Sequence, residues 1–548
     1  VPYVPRHWID ELADKLYESL KKRGKSIIVF NSGLSVSGLQ HVGRLRGEII
    51  IPEVLRKLLQ SRGLVVKQYL TLYTQDSWKA KEAQVKRFKE NGVKYAGWPL
   101  IRVPDPEGCH SNWVEHYWKD FGPFIGEFTD GEIEVVTTTE LYKNKLKEFT
   151  KLVFENREKV RMVINKYRGR KQYKEGWIPF EPICEKCGRI DTTNSTRIVD
   201  EEHVEYVCSG CGHRGVSSIE NGKLMWRIEW VGVWWSLGVD FEAYGKDHAM
   251  PGGSRDSCVD LAVNVFNMQP PEGIPYEWVE WKTPDGKLAD MGSSDFLGFT
   301  PREWLEVAHP HVFRFIVLKT PPMKKFAVGL HEVPHYYNIY YKAERIYYGV
   351  EKAVSEEEEV LLSRSYELSY PRGLPPREMP EQVPYLHLAI LAQIIPCEKW
   401  ATEGLTRLKT SGHISEKPTE YGLKRILEIM QKAHVWVEKY GPSDMRVKLL
   451  PISEAEKVAS TIPSSIADIF KELYERFQTL DLWSEEKIKE AFIAVTSRLG
   501  EDLVKSFYTY FYRLLSGKDS GPRAAPLLAL LGRELSLKYI LLATKTHI

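Results

Sequence analysis

Four of the seven cysteines fall into two matched pairs, Cys184-x2-Cys187 and Cys208-x2-Cys211, each followed by glycine. Two such knuckles can present four thiolates at the corners of a tetrahedron, the geometry a zinc ion takes, and four sulfur ligands leave no open position for catalysis. The spacing therefore points to a structural zinc site, with His213 as a substitute ligand. Cys109, Cys258 and Cys397 are scattered, which is not the arithmetic of a disulfide framework.

A second stretch with chemistry in its spacing is Asn31-Ser32-Gly33-Leu34-Ser35-Val36-Ser37-Gly38-Leu39-Gln40-His41-Val42-Gly43-Arg44. Glycines let a chain turn tightly at the carboxyl end of a strand, and the helix that follows offers free N–H groups and a positive dipole to a phosphate. An imidazole at His41 can donate to that phosphate, and Gly43 leaves room for a base or ribose against the helix backbone. An ordinary strand-to-helix turn with a solvent-facing His41 fits the same residues, and the residues alone do not separate the two readings.

The elements around this turn are those that position it. Residues 26–30 read as a strand, 39–60 as a helix and 64–70 as a second strand, with Val42, Ile49, Val54, Leu55 and Leu58 at near-helical spacing and Gly63 closing the run. That is a βαβ opening of Rossmann type. Residues 132–137 read as another strand and 141–167 as one long helix ending in a basic cluster, Arg168, Arg170 and Lys171. Around the cysteine pairs, 175–222 is a run of short β-prone pieces and turns unlike its surroundings, an inserted ribbon. From about Pro301 onward helical patterns dominate, so the last two hundred residues are expected to be all-helical.

With 548 residues, a prior of roughly 100–200 residues per domain predicts several units. Lys and Arg number 76 against 74 Asp and Glu, a net charge of +2, which excludes a histone-like binder and confines any RNA contact to local patches. No run of about 18 apolar residues occurs, and residues 7–23 read as an amphipathic helix rather than a signal peptide, so a cytoplasmic protein is expected. In the last third, Leu503, Phe507, Tyr510, Phe511 and Leu514 share one helical face and should be core, leaving Tyr508, Tyr512 and Arg513 as candidates to stack on or pair with RNA, and Arg523 and Lys518 to contact phosphate.

The segment from Asn31 to Arg44 resembles the HIGH signature of class I aminoacyl-tRNA synthetases, and of class I lysyl-tRNA synthetases in particular. Other blocks agree in order and spacing nearly end to end: Val103-Pro104-Asp105-Pro106 through Gly108-Cys109-His110, Glu140-Leu141-Tyr142-Lys143, Trp226-Arg227-Ile228-Glu229-Trp230, Gly238-Val239-Asp240-Phe241-Glu242, Gly245-Lys246-Asp247-His248, Glu344-Arg345-Ile346-Tyr347-Tyr348-Gly349 and Gly521-Pro522-Arg523. The resemblance implies an α/β Rossmann-type catalytic domain with an inserted zinc ribbon, followed by an all-α helical-cage anticodon-binding domain. The expected limits are 1–174 and 223–300 for the two catalytic halves, 175–222 for the ribbon, 301–370 for a helical connection and 371–548 for the cage.

The resemblance also implies ATP with Mg2+, lysine and the lysine tRNA as partners, with neither DNA nor membrane. Gly38, His41, Gly43, Arg44, Gly245 and Asp247 are then expected at ATP, and Gly33, Ser35, Glu229, Trp235 and His248 around the amino acid, where a carboxylate and an aromatic wall suit an ε-ammonium. Trp230 is a second candidate for that wall. Three features depart from the family. Arg44 stands where His or Asn is usual, the acidic cluster after the second strand is reduced to Tyr73-Thr74-Gln75-Asp76, and the KMSKS-like stretch reads Gly286-Lys287-Leu288-Ala289-Asp290-Met291-Gly292-Ser293-Ser294-Asp295. Read forward, Lys287 takes the first lysine's catalytic place beside His41; read backward, Asp290 takes it. Arg44, Lys246, Lys282 and Lys287 are the candidates to compensate. The alternative function is a catalytically lapsed paralogue that keeps the fold and binds RNA or a partner.

Overall fold

A computed structural model describes residues 2–545. The chain forms two compact units. The first comprises Val1–Trp304, Phe313–Gly329 and Ala353–Leu374, and the second Leu305–Val312, Leu330–Lys352 and Pro375–Ile548. The expected connection at 301–370 is thus shared out between the two units rather than standing as one of its own.

In the first unit, β1 (Ile28–Leu34), β2 (Val66–Leu72) and β3 (Glu134–Thr137) form a parallel sheet in the order β1-β2-β3, with Ile28 opposite Val66 and Leu72 opposite Thr137. On the far side of β1, Phe30 bridges in parallel to Phe241, and Phe241 to Glu272. Both faces of β1 are covered, as parallel strands require. Of the two polar residues this buries, Asn31 accepts from Thr71 Oγ1 (2.8 Å) and donates to Glu242 (3.1 Å), while Ser32 Oγ has no hydrogen-bond partner.

The helix expected over 39–60 begins later. Residues 39–43 are irregular, helical backbone starts at Arg44, a π turn runs from Arg46 to Ile50, and the α-helix spans Ile51–Gln60. The reason lies in the backbone hydrogen bonds, because Leu39 N donates to Ser293 O (3.1 Å) and Val42 N to Phe299 O (2.7 Å). Those amides are tied to the 293–299 segment, so the helix starts five residues later than the sequence suggested. The long helix expected over 141–167 is also divided, into Thr138–Leu141, Lys145–Glu155 and Arg157–Asn165, with breaks at Asn144 and Asn156.

The insertion holds β4 (Phe180–Pro182), β5 (Thr193–Asp200), β6 (His203–Cys208), β7 (Arg214–Ser218) and β8 (Gly222–Leu224). Strands β5-β6-β7 make an antiparallel sheet, while β4 pairs with β8 so that Glu181 lies opposite Lys223. Beyond it come the helix Trp226–Leu237, stopped by Gly238 at φ +65°, then β9 (Tyr244–Gly245), β10 (Pro275–Tyr276), the hairpin of β11 (Val279–Lys282) and β12 (Leu288–Asp290), and β13 (Phe326–Val328), parallel to β11.

The second unit is helical apart from its loops. Its longest helix, Glu420–Lys439, is capped by the Thr419 side chain on Gly422 N. It buries Ile426, Ile429, Met430, Ala433, Trp436 and Val437, a 3-4 spacing that makes one apolar stripe. Arg425 on that helix forms a buried two-pronged pair with Glu344 (2.7 and 2.8 Å). The helix Ala524–Leu531 is buried on every side, which its all-apolar sequence requires.

Candidate active site

A cavity of about 820 Å³ opens at the carboxyl ends of β1 and β2, where ligands bind in open parallel sheets. Gly33 and Ser35 reach it from the end of β1, His41 and Gly43 from the irregular turn, Arg44 from the helical start after it, Tyr73 and Asp76 from the end of β2. The helix Trp226–Leu237 contributes Trp226, Glu229 and Trp230; Gly245, Asp247 and His248 come from β9 and the turn after it.

One end of the cavity is acidic. Asp76 accepts a hydrogen bond from Ser35 Oγ and, through its other oxygen, from Lys223 Nζ at 3.1 Å. Glu229 accepts from Tyr142 Oη and lies 3.6 Å from the same ammonium. Burial pushes the Glu229 carboxyl up to about 7, against the pull of Lys223. Glu242 is likewise raised by burial and is saturated by Asn31, Trp230 Nε1 (2.9 Å) and Trp234 Nε1 (3.0 Å). Sequence reasoning expected a single carboxylate after the second strand, but the third dimension brings Asp76, Glu229 and Glu242 together.

The aromatic wall is Trp226 and Trp230, with the Trp230 ring 5.2 Å from that of His248. Trp235 is not part of it: its ring packs 5.6 Å from Phe149 within the apolar core. Residues 226, 229 and 230 share one helical face, whereas position 235 is rotated roughly 140° from 230 at 100° per residue. Gly38 also stays off the cavity wall, because a side chain there would run into Ser293 O and the Phe296 ring. Gly33 and Gly43 are on the wall; a Cβ at 33 would meet the Tyr73 ring at 2.5 Å and one at 43 would meet His41 Nδ1 at 2.9 Å.

At the other end, burial and then the neighbouring Arg44 hold the His41 imidazole well below its usual range, so it is neutral, and its Nδ1 is buried without a protein partner. Arg44 lines the cavity near Glu48 and Tyr276, whose hydroxyl donates to Glu48 at 2.7 Å; neither Arg44 nor Tyr73 fills the space. Lys287 is 83% exposed, beside Asp285, and is not on the wall. The wall is instead made by Ala289, Asp290, Met291, Gly292, Ser293 and Asp295, which is the stretch the backward reading singled out. Its acids are met by cations from elsewhere, Lys325 lying 3.4 Å from Asp290 and Lys81 3.4 Å from Asp295, while Lys246 pairs with Glu277, another lining residue, at 2.7 Å. Lys81 and Lys325 are distant in sequence and carried no motif signal.

In the ribbon, Cys184 and Cys211 sulfurs are 3.6 Å apart, as are Cys187 and Cys208, and all four lie within 4.8 Å of one another. A tetrahedron with Zn–S bonds of about 2.3 Å has edges of about 3.8 Å, so the donor set fits zinc. His213 pairs with Glu185 at 2.7 Å and is outside the set. A second group missed by sequence reasoning gathers Asp105, Cys109, His110 and His116 within the same limit, with His116 Nδ1 2.9 Å from Asp105. Its mixed donors lack the repeated x2 spacing that made the cysteine pairs visible.

In the second unit, Tyr508 stacks at 6.0 Å on Phe492, the Tyr512 hydroxyl donates to Pro522 O and Arg513 pairs with Asp519, so all three are occupied within the fold. Arg523 is exposed and lines a smaller cavity of about 350 Å³ with Met445, Pro522 and Pro526.

Residues 6–372 match the family described as tRNA synthetases class I (K), and residues 415–542 match an anticodon binding domain. A lysine–tRNA ligase of Aeropyrum pernix is 51% identical over 97% of this chain and 96% of its own length. Lysine–tRNA ligases of Methanosphaera stadtmanae (98% of this chain, 99% of the relative) and Archaeoglobus fulgidus (96% and 98%) are 30% and 31% identical. With a cavity at the sheet's carboxyl edge and matches that run through both units, the chain belongs to the class I tRNA synthetases of type K.

Proposed function

We infer that the protein is a lysine–tRNA ligase, which activates lysine with ATP and passes it to the lysine tRNA. The observation that carries this reading is the cavity itself, with carboxylates and indoles at one end and His41 and Arg44 at the other. Lysine's ε-ammonium goes to Asp76 and Glu229, its aliphatic stem lies along Trp226 and Trp230, and its carboxylate faces ATP, taken as the Mg2+ complex. The carboxylate oxygen attacks the α-phosphorus, the bond to the β-phosphate bridge breaks and pyrophosphate leaves. The terminal ribose hydroxyl of tRNA then attacks the lysyl carbonyl and AMP departs.

No side chain becomes covalently attached, so the protein acts by positioning and by charge stabilisation. Neutral His41 donates to a phosphate oxygen; Arg44, Lys246, Lys325 and Lys81 supply the positive charge that Lys287 alone does not. Gly245 and Asp247 are assigned to ATP, Gly33, Ser35 and His248 to the amino acid. The four ribbon cysteines are assigned to a structural zinc ion, which when bound cross-links the two knuckles. The lapsed alternative is not favoured, because the cleft stays open with Arg44 and Tyr73 at its edge.

Lysine-dependent ATP–pyrophosphate exchange, run with the other amino acids as controls and with and without tRNA, tests the reading. Exchange with lysine alone among the amino acids is expected. No exchange from folded protein under any condition overturns it.

A further inference from the structure

The acidic end of the cavity already contains an ammonium group. Lys223 is the central residue of β8, and its side chain is only 8% exposed. Its Nζ reaches 3.1 Å from Asp76 Oδ1 and 3.6 Å from Glu229 Oε1. Both carboxylates line the cavity and Lys223 does not, so its buried ammonium is set back from the wall that they make. Each acid is pinned a second time by a neutral hydroxyl, Ser35 on Asp76 and Tyr142 on Glu229. The Tyr142 hydroxyl itself accepts from Leu224 N at 2.8 Å, the residue after Lys223.

A buried lysine is costly unless paired, and two carboxylates this close resist ionising together. Lys223 resolves both difficulties. With it, an ionised Glu229 beside Asp76 leaves room for one more ammonium between the acids and the cavity. Without it, burial drives Glu229 further toward its neutral form, and a neutral carboxyl is a poor partner for an ammonium. Glu242 does not change the count, because its oxygens are taken by Asn31 and two indole N–H groups.

Resting on the reading above, we propose that Lys223 is a positioning residue of the amino-acid subsite: its buried ammonium anchors Asp76 and Glu229 facing the cavity and favours the charged form of Glu229, so that the two acids accept the ε-ammonium of the substrate. The groups facing Glu229 from the surrounding elements are Lys223, Asp76, Tyr142, Tyr73 and, across the β4–β8 pair, Glu181. Removing Lys223 raises the affinity of Glu229 for a proton, and removing the charge of Glu181 lowers it.

The test follows kcat/KM for lysine in pyrophosphate exchange from pH 6 to pH 9 for the wild type, Lys223→Met, Lys223→Arg and Glu181→Gln. Lys223→Met should lower kcat/KM at pH 7 by about five- to tenfold, by moving the ascending limb about one unit or more to the alkaline side. It should leave KM for ATP within about twofold, and the deficit should shrink at pH 9. Lys223→Arg should bring the limb back. Glu181→Gln, which leaves the ammonium in place, should move the limb the other way.

A limb that stays put in both Lys223→Met and Glu181→Gln overturns the proposal, as does a loss in Lys223→Met that is equal for lysine and ATP at every pH. If Lys223→Met does not fold, Glu181→Gln and Lys223→Arg decide the matter on the same criterion. Absence of exchange from the wild type would instead strike at the functional reading, and with it this inference.

Discussion

Glu229 must be buried to exclude water from a lysine side chain and must be ionised to attract it, and those demands oppose each other. Its carboxyl is pushed up to about 7 by burial, so in the free protein it is partly protonated at neutral pH. The charged form is the one that binds an ammonium, and it gains as pH rises; kcat/KM for lysine should therefore climb from pH 6 through about 7 and level off above. Glu229→Gln should abolish that limb and raise KM for lysine by at least about 30-fold, the cost of losing one partner of a buried charged hydrogen bond, while KM for ATP stays near the wild-type value. Steady-state exchange kinetics with each substrate varied in turn check both statements. That several residues would line one cavity was readable in advance. Gly33, Ser35, His41, Gly43, Arg44, Glu229 and His248 follow from motifs, because each is fixed by a local turn or a helix face. Lys223, Lys325 and Lys81 do not, because a lone lysine has no pattern; only the fold shows that its tip meets an acid.

At the scale of elements, the βαβ opening was legible because its apolar spacing and its glycines are local signals, and observed and expected strands agree to within a few residues. The start of the helix after β1 was misread, since Leu39 and Val42 give their amides to the 293–299 segment, a tertiary choice that propensity does not record. Trp235 was misplaced for a related reason: in a helix with tryptophan at 226, 230, 234 and 235, only geometry says which indole faces the ligand. That the four cysteines meet, by contrast, was plain from their paired spacing. Zinc analysis of the purified protein should find metal bound, and Cys208→Ser should free it. Because structural zinc sites supply folding energy directly, a strong chelator should lower the melting temperature, and zinc should restore it.

Across the whole molecule, the two units divide the labour. Arg523→Glu, on the exposed rim of the smaller cavity in the helical unit, should weaken tRNA binding by about tenfold and flatten its salt dependence, as loss of one phosphate contact does. Lysine-dependent exchange without tRNA should be unchanged; filter binding at several salt concentrations alongside exchange separates the two. Stability has its own pH signature. His7 caps the helix Trp8–Lys21 by accepting from Ile9 N at Nδ1, so its proton is on Nε2, 2.9 Å from Ser365 Oγ. Burial lowers it from 6.5 to about 4. The unfolded chain therefore takes up the proton first, and the contribution of His7 is full above about 6.5 and drains away as pH falls toward 4, about 3 kcal/mol at most. Thermal melts of His7→Asn, which keeps a capping oxygen, should show less acid sensitivity over that window.

The link from His7 to Ser365, reinforced by Arg364 gripping Asp10 at 2.9 and 3.0 Å, ties residues more than three hundred positions apart. A ribosome releases the first of these long before the last, and in the interval it has already made two segments of the helical unit, Leu305–Val312 and Leu330–Lys352. Neither unit can be finished before the other is begun. The order of synthesis thus cannot serve as the order of folding, and the first helix must wait, its cap made but its clasp open, until the chain has travelled out of the catalytic unit and back.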